Sequence, residues 1–149
     1  MPAAPVSIER LKAEDTTAAL SVIVAGLTER WGFYEPSFNP DLEDFAGHYQ
    51  ESFILVAKQG RTVVGIGIFQ PTGSDSAQIV RMSVVKNLRR SGIGSLILDG
   101  LLQIADERGF HRITLETTAS WESAVEFYKS RGFTPTHQRD GNQYFISNR

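Results

Sequence analysis

Between Val84 and Ser95 the chain runs Val-Val-Lys-Asn-Leu-Arg-Arg-Ser-Gly-Ile-Gly-Ser. A β-rich run precedes this segment and a long helical apolar pattern follows it, so Gly92 and Gly94 fall where a strand turns into a helix. Glycines one residue apart permit a tight bend and let a ligand approach the main chain. A helix opening there aims unpaired N–H groups and the positive end of its dipole at one point. Arg81, Lys86, Arg89 and Arg90 place four cations and no acid within ten residues, in a chain of formal net charge −2. The segment therefore favours an anionic ligand over an ordinary strand–helix turn with solvated basic side chains. No Gly-Lys-Ser/Thr follows, so it is not a Walker loop, and Ile97 stands where a dinucleotide fingerprint needs its third glycine.

At 149 residues the natural expectation is one domain spanning 1–149, and 41 % apolar residues are ample for a core. The absence of cysteine excludes a disulfide framework, a thiolate metal site and a cysteine nucleophile. No metal is expected. Near-neutral charge argues against a protein that coats nucleic acid. Met1 to Val6 lacks the basic patch of a secretory signal, and the apolar stretch Ala18 to Leu27 is too short to span a bilayer. These features predict a soluble, cytoplasmic domain with no membrane or nucleic-acid partner.

The pattern predicts a strand at Val6 to Arg10, a helix after Asp15-Thr16-Thr17, an aromatic loop at Trp31 to Pro40, and an amphipathic helix at Asp41 to Gln50. Strands follow at Phe53 to Ala57, Thr62 to Phe69 and Ala77 to Val85. A helix from Ser91 to Arg108 ends at Gly109, then come a strand at Arg112 to Thr117 and a helix at Trp121 to Arg131. Two final strands, Phe133 to Gln138 and Gln143 to Ile146, turn at Asp140-Gly141. This is a mixed α/β domain on one sheet. The unit from Ile79 to Thr117 should be a parallel strand–helix–strand crossover, with its ligand at the carboxyl ends of the strands.

Glu116 ends one of those strands, on the face opposite Ile113 and Leu115. A carboxylate beside a crevice suits a general base, and equally a solvated or ion-paired glutamate. Tyr128 shares a helix face with Trp121, Ala124 and Val125. Its phenol suits proton donation to a departing anion, and equally a core tyrosine with a satisfied hydroxyl.

Taken together, these segments resemble the GNAT superfamily of N-acetyltransferases. Arg89, Gly92 and Gly94 match the acetyl-CoA signature Arg/Gln-x-x-Gly-x-Gly/Ala, and Leu115-Glu116 followed by Ala124, Phe127, Tyr128, Gly132 and Phe133 is similar to the second signature. The pair at this separation carries far more weight than either alone. The resemblance implies a mostly antiparallel sheet with one parallel β-α-β crossover, and acetyl-CoA as cosubstrate. It implies that Met82, Ser83 and Val84 contact the acetyl carbonyl and pantetheine through the main chain. Arg89, Arg90, Ser91, Gly92, Ile93, Gly94 and Ser95 would then wrap the diphosphate. It also implies that Tyr128 protonates the departing thiolate, and that Glu116 is the base, as in ribosomal-protein N-terminal acetyltransferases. Arg81 to Val84 is similar to camello-type members. Trp121 departs from the family's usual Asn, and Gln78 from its usual Glu. Asp75 and water-mediated bases stay open.

The implied reaction is direct acetyl transfer to a primary amine: a peptide N-terminus, a lysine or a small amine. The alternative is a non-catalytic acyl-CoA sensor. Trp31, Phe33, Tyr34 and Phe38 are expected to wall the acceptor pocket. Six acids (Glu29, Glu35, Asp41, Glu43, Asp44, Glu51) against Arg30 hint at a cationic acceptor, or at a solvated acidic face. A homodimer is compatible with the family.

Overall fold

The computed structural model describes residues 5–149, so Met1 to Ala4, which open the segment without a basic patch, lie outside the described residues. Strands β1 (Val6–Arg10), β2 (Phe53–Gln59), β3 (Thr62–Pro71), β4 (Ser76–Val84), β5 (Arg112–Thr118), β6 (Thr134–Arg139) and β7 (Asn142–Asn148) form one sheet. Their order is β1-β2-β3-β4-β5-β7-β6. Every neighbouring pair is antiparallel except β4 and β5, which run parallel. The mixed sheet with a single parallel crossover is the expected fold class.

The long helices are α1 (Thr16–Trp31), α4 (Ile93–Arg108) and α5 (Glu122–Ser130). Gly32 and Gly109 end α1 and α4 in the left-handed conformation that lets the chain leave a helix. Asp15 stands at the N-cap of α1 without capping it. Its carboxylate accepts instead from Lys58 Nζ at 3.1 Å. The helix expected over 41–50 is two short ones, α2 (Pro40–Glu43) and α3 (Phe45–His48). Asp44, at φ −130° and ψ 58°, breaks it.

Apolar side chains cover both faces of the central strands. Ile97, Leu98 and Leu101 of α4 pack on Leu55, Phe69, Ile113, Leu115 and Phe145. Ala19, Val22 and Ile23 of α1 pack with Val56, Ile66 and Ile68 on the other face. Burial on both sides explains why residues 63–69 read as a continuous apolar run rather than an alternating one.

At Gly67, α4 packs closely on the sheet. A Cβ there would lie 2.7 Å from Ile97 Cγ2, 3.0 Å from Leu101 Cδ1 and 2.5 Å from Met82 Sδ. Met82 can swing away, but Ile97 and Leu101 are wholly buried. Gly67→Ala should therefore cost about 1–3 kcal/mol through overpacking. Thermal unfolding will read it as a lowered Tm, and an unchanged Tm would mean that α4 can lift off the sheet.

The sheet opens at one place. β4 and β5 pair only through Ser76–Gln78 with Arg112–Thr114, yet β4 continues to Val84 and β5 to Thr118. Opposite Gly67, β4 carries the two residues Arg81 and Met82, because Ile68 pairs with Val80 and Ile66 with Ser83. Arg81 takes φ 56° in this bulge. A bulge bends its strand and sharpens the twist, which turns the far half of β4 away from β5.

Candidate active site

A cavity of ≈ 1170 Å³ fills the splay between β4 and β5. It is bordered by α1, the far half of β4, the start of α4, the end of β5 and α5. The strands diverge at their carboxyl ends, the place expected for a ligand in a parallel crossover.

The basic bend lies at one end. Arg90 (φ 66°) and Gly92 (φ 88°) both occupy the left-handed region. The helix therefore starts at Ile93, two residues after the expected Ser91. No side chain caps α4, so its first N–H groups are left for a ligand. Gly94 keeps the wall thin: a Cβ there would reach 3.5 Å from Phe127 Cζ across the cavity lining.

Of the segment expected to hold a cofactor, Met82, Ser83, Val84, Arg89, Arg90, Gly92, Gly94 and Ser95 border the cavity, and Ser91 and Ile93 do not. Ile93 is buried in the core under α4, and the Ser91 hydroxyl donates to the Leu88 carbonyl. Ser83 turns its hydroxyl to the Val22 carbonyl at 3.3 Å.

Two of the four clustered cations are committed elsewhere. Arg89 donates from both Nη atoms to Glu29 at 2.8 and 2.6 Å and from Nε to the Val84 carbonyl at 3.2 Å. That hydrogen bond holds Glu29 below the usual carboxylate value. Arg81 forks onto Asp41 at 2.7 and 3.0 Å. Arg90 is exposed beside the cavity and has no carboxylate partner among the described residues.

Tyr128 is 8 % exposed, with its ring among Phe127, Phe133 and Phe145. Burial pushes its phenol up to about 12, with Arg30 pulling the other way. It is therefore protonated throughout the neutral range. Glu116 and Asp41 are the carboxylates that border the cavity. Asp41 is closed by Arg81 and by the Tyr49 hydroxyl at 2.5 Å. Glu116 is exposed and accepts from Tyr144, its neighbour across β5 and β7, which raises the Tyr144 phenol. Asp75 does not border the cavity; its carbonyl takes the His111 and Arg112 N–H groups.

The acceptor side departs from the sequence reading. Trp31 and Phe38 border the cavity and are 55 % and 75 % exposed, whereas Phe33 and Tyr34 lie away from it. Tyr34 donates to Glu43 at 2.9 Å. Of the six acids counted there, only Asp41 reaches the cavity, already paired. The acidic surplus thus does not face the cavity; besides the paired Asp41, the charge of that stretch that does is Arg30. Its guanidinium lies 3.7 Å from the centre of the Trp121 ring. Burial lowers Arg30 to about 10, and it stays charged. The signals available in the sequence were a lone base among acids and, separately, Trp121 where an amide was expected.

Among the described residues no three His, Asp or Glu side chains are grouped to hold a metal ion, and no helix is long and apolar enough to cross a membrane.

Residues 21–133 match the acetyltransferase (GNAT) family. The N-acetyltransferase 8F1 of Rattus norvegicus is 34 % identical over 106 residues, 66 % of this chain and 48 % of that protein. The chain thus spans about half the length of this mammalian relative. The uncharacterized N-acetyltransferase YjgM of Escherichia coli (strain K12) is 30 % identical over 142 residues, 89 % of this chain and 83 % of that protein. In three dimensions, the PaiA N-acetyltransferase of Thermoplasma acidophilum, solved with coenzyme A, superposes with a TM-score of 0.85 at 15 % identity, covering 97 % of this chain and 99 % of that one. An uncapped helix behind a basic glycine bend, a sheet split at its one parallel pair and the sequence match lead to one conclusion: the chain belongs to the GNAT acetyltransferase family.

Proposed function

We propose that this protein transfers an acetyl group from acetyl-CoA to a primary amine by direct attack. The observation that carries the reading is the buried, protonated Tyr128 in the same cavity as an uncapped helix start. The residues fit the cosubstrate. The first turn of α4, with Arg90 and Ser95, would hold the diphosphate, and the open edge of β4 over 82–84 would receive the pantetheine arm. Arg89 supports this bend by tying it to α1 and β4 rather than by offering free charge. Acetyl-CoA supplies an activated acyl group as a thioester.

The chain's own groups do the rest. Glu116 takes the ammonium proton, directly or through water. Main-chain N–H groups over 82–84 stabilise the negative charge that develops on the carbonyl oxygen. Tyr128 donates a hydrogen bond from its hydroxyl to the departing sulfur, which leaves as a thiolate and takes its proton from solvent. That the relative PaiA is seen with coenzyme A supports this reading.

Thiol release from acetyl-CoA across a panel of amines and peptides tests it, with thermal stabilisation by acetyl-CoA against ATP and NAD alongside. Turnover with at least one amine, and stabilisation by acetyl-CoA alone, are expected. Tight cofactor binding with no turnover on any amine would favour an acyl-CoA sensor. Glu116→Gln should lower kcat/KM by about tenfold, less than the roughly 10²–10⁴-fold usual for a general base. The side chain is exposed, so solvent can replace it in part. An unchanged rate would remove Glu116 from the mechanism.

A further inference from the structure

The cavity holds one half-buried cation that no carboxylate closes among the described residues. Four arginines border it. Arg81 and Arg89 are each closed by a carboxylate, and Arg90 stands exposed at the diphosphate bend. Arg30 differs from all three. Its guanidinium carbon lies 3.7 Å over the Trp121 ring, and one Nη makes a long 3.4 Å bond to the Thr118 hydroxyl. Its Nε is the buried side-chain polar atom that has no hydrogen-bond partner among the described residues. A buried donor left unpaired is costly, and a guanidinium bordering a cavity has a planar set of N–H groups that fits a carboxylate. The contact with Trp121 positions those groups in advance.

Its place in the cavity says which ligand it serves. Thr118, Trp121 and Tyr128 lie beside it, at the carboxyl end of β5 and along α5. With Tyr128 at the departing sulfur, this is where the acyl group and the acceptor would meet.

We propose that Arg30, held by Trp121, anchors a carboxylate on the acceptor, so that the substrates are small amines that carry a carboxylate beside the amine. The proposal rests on the transferase reading above for the acceptor's being an amine and for its place beside Tyr128. Trp31 and Phe38 border the same cavity and offer apolar surface to the rest of such a molecule.

The test pairs each of glycine, L-alanine and L-phenylalanine with its α-carboxamide. Binding to the protein saturated with coenzyme A is followed by calorimetry, and acetyl transfer by thiol release. In at least one pair the carboxylate form should bind about 10- to 100-fold more tightly, the range of a charge-assisted fork. Arg30→Gln should bring that ratio close to one through KM, with coenzyme A affinity unchanged, and Arg30→Lys should keep part of it. Amides equal to or better than acids in every pair would overturn the proposal. So would a preference that survives in Arg30→Gln, a loss of coenzyme A affinity, or a uniform fall in kcat that marks Arg30 as acting through Tyr128. Carboxylate-selective binding without turnover would uphold Arg30 and sink the transferase reading. Turnover that prefers amides would do the reverse.

Discussion

Tyr128→Phe is expected to lower kcat by about 10²–10³-fold while leaving the Kd of coenzyme A within about twofold, the usual size of losing one donor aimed at developing charge. The ring is held by three phenylalanines, so removing the hydroxyl leaves the packing intact. Its raised value, about 12, also bears on how it acts. A thiol ionises near 8.5, so full proton transfer from this phenol to a thiolate is uphill. Tyr128 therefore acts first as a hydrogen-bond donor to the sulfur. The nearby Arg30 charge narrows the gap by favouring the phenolate. It follows that no limb of the pH–rate profile between pH 6 and 10 belongs to Tyr128. A limb in that range that vanishes in Tyr128→Phe would contradict the assignment, as would an unchanged kcat.

What the residues alone revealed divides by range. The strand–bend–helix at Gly92 and the helix stops at Gly32 and Gly109 depend on local backbone preference, and two of them, the bend and Gly109, were legible as such. The pairing of signatures located Tyr128 and Glu116 in one cavity, because both sit on elements adjoining the single parallel pair. Long-range partners were not legible. Four cations in ten residues looked like one anion site, yet Arg89 closes on Glu29, sixty positions away, and Arg81 on Asp41, forty away. The acid count between Thr28 and Glu51 misled for the same reason, since counting charge along a chain ignores which face each residue takes. Arg30 was counted there as a minority base; only the stack on Trp121 turns it inward. The helix expected over 41–50 failed at Asp44, whose backbone leaves helical space between α2 and α3.

Arg81→Ala should destabilise the fold by about 3–5 kcal/mol, the loss typical of breaking a buried ion pair from one side. The two side chains are only 21 % and 12 % exposed. Asn39 Oδ1 accepts from Arg81 at 3.1 Å, and the Tyr49 hydroxyl completes the cluster. Burial alone would raise Asp41, but hydrogen bonds from Arg81 and Tyr49 outweigh it and leave it below its ordinary value. A carboxylate depressed in the folded state stabilises above its unfolded value, near 3.9, and that contribution is lost as pH falls through the folded one. Asp41→Asn should therefore be less stable at pH 7 and show a flatter loss of stability below about pH 4. The pair also holds Arg81 at φ 56°, a conformation that costs a non-glycine residue about 1–3 kcal/mol. Glycine adopts it freely. Arg81→Gly should accordingly keep the bulge and recover about 1 kcal/mol relative to Arg81→Ala, measured by urea unfolding at pH 7. Equal stability of the two variants would mean that β4 straightens once the ion pair is gone. In that case the split beside β5 depends on Asp41 in α2, and Arg81→Ala should also weaken coenzyme A binding.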